Sequence, residues 1–184
     1  MAISTGKTRV FLTACEEGVM DIVKQYINNP EVDITVNKNM AFTSACSNGH
    51  LEVVKLLLSD ARVLPSDNTN YAIKQAAGKG HIEVIKLLLK DGRVNPGADD
   101  QYPLRQASNN GKTETMKLLL SDPRVSIDEA IRIMTIDTGR IGKKDVLLAL
   151  QKEMDEAKKK PDDLKESIKS VIEILNKLVV TLGA

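Results

Sequence analysis

The chain has 184 residues, 42% hydrophobic, 28% charged and 3% aromatic, the range of an ordinary globular chain with one core. Its 26 basic and 25 acidic residues leave a formal charge of +1, which excludes the basic footprint of a general nucleic-acid binder. Residues 1–10 lack the apolar core of a signal peptide, no window approaches the ~18 apolar residues of a membrane span, and the two cysteines form no C-x-x-C pair. These features predict a soluble, intracellular chain in a reducing, cytoplasmic setting, touching neither nucleic acid nor membrane.

An internal repeat organises everything that follows. Gly18, Gly49, Gly80, Gly111 and Gly142 recur at one interval of 31 residues, without insertion or deletion. Around the middle three run NGHLEVVKLLLSDARV, KGHIEVIKLLLKDGRV and NGKTETMKLLLSDPRV, with weaker copies at EGVMDIVKQYINNPEV and IGKKDVLLALQ. Other columns keep the same step: Ala14, Ala45, Ala76 and Ala107; Val23, Val54, Ile85, Met116 and Leu147; Val32, Val63, Val94 and Val125.

In each unit a short helix comes first, over 71–77 in one copy and 102–108 in the next. The repeated glycine then serves a turn in which a left-handed residue is cheap only without a Cβ. A second helix follows. Leu51, Val54, Leu57 and Leu58 share one stripe of it, and Asp21, Glu52, Glu83, Glu114 and Asp145 meet the positive end of its dipole. Lys24, Lys55, Lys86 and Lys117 stand three residues later, placed for i,i+3 pairs. Segments such as VLPSDNTN and VNPGADDQ, rich in turn formers, then project as fingers near 33–39, 64–70 and 95–101.

Through AxxxGHLEVVKLLL in the second unit and YPLRQA in the fourth, the chain resembles the ankyrin-repeat family over roughly residues 10–150. The resemblance implies an all-α, helix-turn-helix solenoid of about five repeats. Two features depart from the family. The period is 31 where about 33 is usual, which predicts fingers that are shorter or differently bent, and Tyr71 with Lys74, or Tyr102 with Arg105, replace the Thr and His of the family motif.

A stack needs ends that cover its last apolar face. The first unit replaces the LLL run by Gln25, Tyr26 and Ile27, and after Val125 the finger gives way to SIDEAIRIM, with a capping box of Ser126 and Glu129. Repeats are expected over 1–150 and capping helices over 151–184. The last of these carries an apolar stripe from Leu164 to Leu182, either docked on the final repeat or exposed to bind a partner or pair two copies.

Applying the register removes the candidate chemistry. Cys15 and Cys46 fall in a column with Ala77 and Ser108, which reads as core. His50 and His81, the two histidines of the chain, both follow a turn glycine, so neither a metal site nor a Ser-His or Cys-His engine assembles around them. Gly111-Lys112-Thr113 lacks the upstream glycine of a phosphate-binding loop and the strand before it. The Lys158 to Lys160 run completes a helix end. Arg62, Arg93 and Arg124, each two residues after Asp60, Asp91 and Asp122, read as a surface ladder that helps hold units in register.

Function is then sought where copies differ. The family resemblance implies a concave face of fingers and short helices that binds partners. On this chain it maps to Asn37, Asn39, Asp67, Asn68, Asn70, Asp99 and Gln101 in the fingers, and to Lys74, Lys79, Arg105 and Asn109 on the short helices. The expectation is a monomeric, non-enzymatic protein-interaction module without cofactor or metal. Acidic fingers beside basic Lys74 and Arg105 predict a partner segment of mixed charge. The alternative is a structural protein that self-associates through its C-terminal amphipathic helix.

Overall fold

The computed structural model describes residues 6–126. The periodicity around the repeated glycines is realised as eight helices: α1 (Gly6–Glu17), α2 (Met20–Tyr26), α3 (Val36–Asn48), α4 (Leu51–Leu58), α5 (Asp67–Lys79), α6 (Ile82–Lys90), α7 (Ala98–Asn109) and α8 (Thr113–Leu120). The first helices form one layer, α1 on α3, α3 on α5 and α5 on α7. The second helices form another, α2 on α4, α4 on α6 and α6 on α8. No strand occurs among the described residues, and none of their helices is long and apolar enough to cross a membrane. The expected fifth copy around Gly142 and the capping helices over 151–184 lie outside the described residues.

The sequence columns are the core. Phe11, Phe42, Ile73 and Leu104 stand 31 residues apart and are all buried, as are Val23, Val54, Ile85 and Met116, and Leu57, Leu88 and Leu119. Each unit therefore repeats one packing solution, burying its apolar stripe against the next copy. Cys15 and Cys46 are free thiols within this core. Burial pushes the Cys15 thiol up to about 12 and the Cys46 thiol higher still, so both remain protonated and inert.

The helix-to-helix turn shows why glycine recurs. The carbonyls of Ala14, Ala45, Ala76 and Ala107 accept the N–H groups of Val19, His50, His81 and Lys112 at 2.8–3.0 Å, closing the end of each first helix. This closure puts the intervening glycine in the left-handed region, with φ of 75° at Gly18 and Gly49, 81° at Gly80 and 63° at Gly111. The His50 ring lies over Gly18 and the His81 ring over Gly49, each Nδ1 only 2.5 Å from where a Cβ would sit. On the far side of the ring, Nε2 meets the Glu16 carbonyl at 2.8 Å for His50 and the Ser47 carbonyl at 2.9 Å for His81. A carbonyl only accepts, so Nε2 carries the proton. Each histidine thus fastens its unit to the one before.

The arginine ladder fastens the second layer. Arg62 donates to the Ile27 carbonyl at 2.9 Å, Arg93 to Val63 and Leu58 at 3.2 and 3.1 Å, and Arg124 to Val94 and Leu89 at 2.7 and 2.8 Å. Ile27, Leu58 and Leu89 end the preceding second helices, where a cation meets the negative end of the dipole. Asp60, Asp91 and Asp122 hold each guanidinium from behind at 2.7 Å. The same column holds Glu31 in the first pair, which no described pair precedes, and Glu31 turns to Lys7 at 2.9 Å.

The hydrogen bond and charge of the adjoining arginine hold the carboxyls of Asp60, Asp91 and Asp122 below the ordinary aspartate value. Their stabilisation is therefore fully present above about pH 4 and lost as pH falls through the lower native values. Asp91→Asn is expected to cost about 1 kcal/mol at neutral pH, a difference that shrinks on acidification. Thermal melts of both proteins across pH 2–7 check this, and a gap that persists unchanged to the lowest pH refutes the ionic account.

Candidate binding surface

The fingers are not open hairpins. Asn37, Lys38 and Asn39 make one left-handed turn at the start of α3, with φ of 52°, 57° and 58°, and Asp99, Asp100 and Gln101 do the same in α7, at 49°, 52° and 57°. Asn70 sits at the matching place in α5 with φ of 60°. Within α7 the right-handed helix follows this turn, with Pro103 near its beginning, so the predicted start at residue 102 marks the change of hand. Left-handed residues cost ~1–2 kcal/mol each, least for Asn and Asp, which accounts for much of the finger composition.

A ladder of side-chain oxygens offsets that cost. Thr8, Asn39 and Asn70 stand 31 apart, and each accepts a backbone N–H from 25 residues further on: Asp33 to Thr8 Oγ1 at 3.3 Å, Leu64 to Asn39 Oδ1 at 3.4 Å and Asn95 to Asn70 Oδ1 at 2.8 Å. Gln101 continues the column, its Oε1 buried and without a hydrogen-bond partner among the described residues. The finger of one unit is thereby tied to the approach of the next finger.

These contacts correct part of the sequence reading. Asn39, Asn70, Gln101 and Lys74, expected at the surface, are buried. Lys74 closes on the Asp99 carboxylate, with its ammonium 5.1 Å from the centre of the Tyr102 ring. Asp67 is half-buried and accepts a hydrogen bond from Asn39 Nδ2. Asn37, Lys79, Asp99 and Asn109 are exposed, as expected. Lys79 reaches across to Asn48 Oδ1 at 3.2 Å. Arg105 is half-buried, its guanidinium 4.9 Å from the Tyr102 ring centre. The side chain of Asn68 lies outside the described part of the structure.

The structure adds apolar residues that the sequence reading did not assign to recognition. Met40, Leu64 and Tyr71 expose 43%, 52% and 40% of their surface. Val10 and Val19 are also exposed, but they belong to the first pair, which no described pair covers. Met40, Tyr71 and Tyr102 form one column at the first turn of the right-handed helices, directly after the buried Asn39, Asn70 and Gln101. That apolar column, facing water beside a finger, was the available signal. No three His, Cys, Asp or Glu side chains among the described residues gather as a metal site. Lys112, of the Gly-Lys-Thr run, lays its stem along Gly80.

Among known families, residues 11–100 match the model for ankyrin repeats, in three copies. A search of curated proteins finds no match to the chain.

Proposed function

We propose, from the match of residues 11–100 to ankyrin repeats, which generally mediate protein–protein interaction, that the chain binds a protein partner, without catalysis, through the face made by its finger turns and first helices. One observation carries the reading: leaving aside the uncovered first pair, the exposed large apolar side chains of the described residues, Met40, Leu64 and Tyr71, all lie on this side. The inter-repeat hydrogen bonds at Thr8, Asn39 and Asn70 brace the fingers in advance. Little ordering is then left for the moment of binding.

The test follows from the geometry. Lys74 is buried and paired, so reversing its charge would damage the fold; Tyr71 and Arg105 are the informative positions. The Tyr71→Ser, Arg105→Glu double variant is expected to lose a specific partner by roughly 10- to 100-fold. A Lys86→Glu, Lys90→Glu control on the second helices is expected to retain it. Quantitative mass spectrometry of proteins captured from native cell extract compares the three, after all show the same melting profile. Equal retention of every specific partner by both variants refutes the assignment of this face.

A further inference from the structure

Charge is arranged differently on the two sides of the stack. On the second-helix side Lys55, Lys86 and Lys117 each close on a carboxylate three residues earlier at 2.6–2.7 Å. Arg62, Arg93 and Arg124 each close on an aspartate two residues earlier at 2.7 Å. Lys24 and Lys90 are the exceptions among the described residues of that side. On the first-helix side Lys74 and Asp99 neutralise each other, and Asp67 is engaged by Asn39. At the finger tips, Lys38 is exposed in α3 and Asp100 in α7, two units further along.

Three cations remain toward the α5 and α7 end. Lys79 meets only the neutral amide of Asn48, Arg105 stacks on Tyr102, and Lys112 lies along Gly80; none closes on a carboxylate among the described residues. The exposed carboxylates Glu16 and Glu17 stand at the opposite end, on α1. Exposed Arg9 also stands on α1, in the column of Met40, Tyr71 and Tyr102, and exposed Asp100 on α7, so the net charge rises along the stack, from −1 over Arg9, Glu16 and Glu17 to +2 over Lys79, Arg105, Lys112 and Asp100. The mixed-charge partner expected from sequence drew in part on Lys74 and Asp99, which pair with each other.

We propose that this face docks an acidic, extended protein segment that sets an apolar side chain against Tyr71 and Met40 and its carboxylates on Arg105, Lys79 and Lys112. The proposal rests on the reading of this face as the partner surface. Tyr102 holds the Arg105 guanidinium by stacking, which leaves its planar fork oriented for a bidentate carboxylate. From α1 to α7 the first layer spans three interhelical spacings of about 8–10 Å each. An extended segment of roughly eight residues covers that distance. The rise in positive charge from α1 to α7 directs its acidic end to α7.

The experiment is a selection of random 12-residue peptides on the full chain, followed by fluorescence anisotropy of the enriched peptides. Asp- and Glu-rich sequences containing an aromatic or aliphatic residue are expected. Changing their Asp and Glu to Asn and Gln should weaken binding to the unaltered protein at least tenfold. Arg105→Glu should weaken the acidic peptide by a similar factor, and Arg105→Lys by less. Neutral or basic peptides that depend on Tyr71 would overturn the acidic assignment while leaving the face as a binding surface. Peptides insensitive to both Tyr71→Ser and Arg105→Glu would overturn both readings. A 12-nucleotide polyuridylate that binds as tightly, with the same dependence on Arg105, would overturn the choice of a protein segment.

Discussion

Replacing Gly49 by alanine is expected to destabilise the chain by about 3 kcal/mol, against about 1 kcal/mol for the same change at Gly111. Both glycines are left-handed, with φ of 75° and 63°, so both variants carry the backbone cost. They differ in what the new Cβ meets. At Gly49 it would stand 2.5 Å from His81 Nδ1, whereas at Gly111 nothing lies within 4 Å. The ring has little freedom to retreat, because its Nε2 donates to the Ser47 carbonyl at 2.9 Å. Urea denaturation of the two single variants, His81→Ala and the Gly49→Ala, His81→Ala pair resolves the two contributions. Removing the ring should bring the added cost of Gly49→Ala down to the Gly111 level. Equal losses at both glycines in the presence of His81 would refute the steric part of the argument.

Asn70→Leu is expected to cost about 2–3 kcal/mol. Leucine supplies no acceptor for the Asn95 N–H, now bonded to Asn70 Oδ1 at 2.8 Å in a partly buried place, and it tolerates a φ of 60° less well than asparagine. Asn37→Leu shares the backbone penalty at φ of 52° but lies exposed, so about 1 kcal/mol is expected there. Asn70→Asp keeps the acceptor and should fall between Asn70→Leu and the unaltered chain. Amide hydrogen exchange gives a local reading: the Asn95 amide should exchange faster in Asn70→Leu and stay protected in Asn37→Leu. Unchanged protection at Asn95 in Asn70→Leu would remove the ladder from the account of the fingers.

Much of this architecture is legible in the residues alone. The interval of 31 places the turn glycines, the helix pairs and the buried columns from Phe11 to Leu104, because a repeat meets the same neighbour at every step. Local rules then suffice: a left-handed closure asks for glycine, an apolar stripe asks for a partner stripe, and a carboxylate marks a helix start. The same register also identified Cys15, Cys46, His50 and His81 as parts of the scaffold, and the structure places all four in contacts within or between units.

The candidate surface was less legible. Asn39, Asn70 and Gln101 look like ordinary turn formers, and their burial depends on a backbone segment 25 residues away in the neighbouring unit. Lys74 and Arg105 share a column, yet Lys74 is buried against Asp99 and Tyr102 of the following unit while Arg105 is only half-buried. Composition and periodicity thus determined the repeat, the helices and the identity of the core, since these follow from short-range backbone preferences and a repeated apolar pattern. Only the tertiary structure decided which charges cancel, which asparagines are structural and which cations close on no carboxylate among the described residues, because burial and pairing of a polar side chain are set by the unit stacked against it.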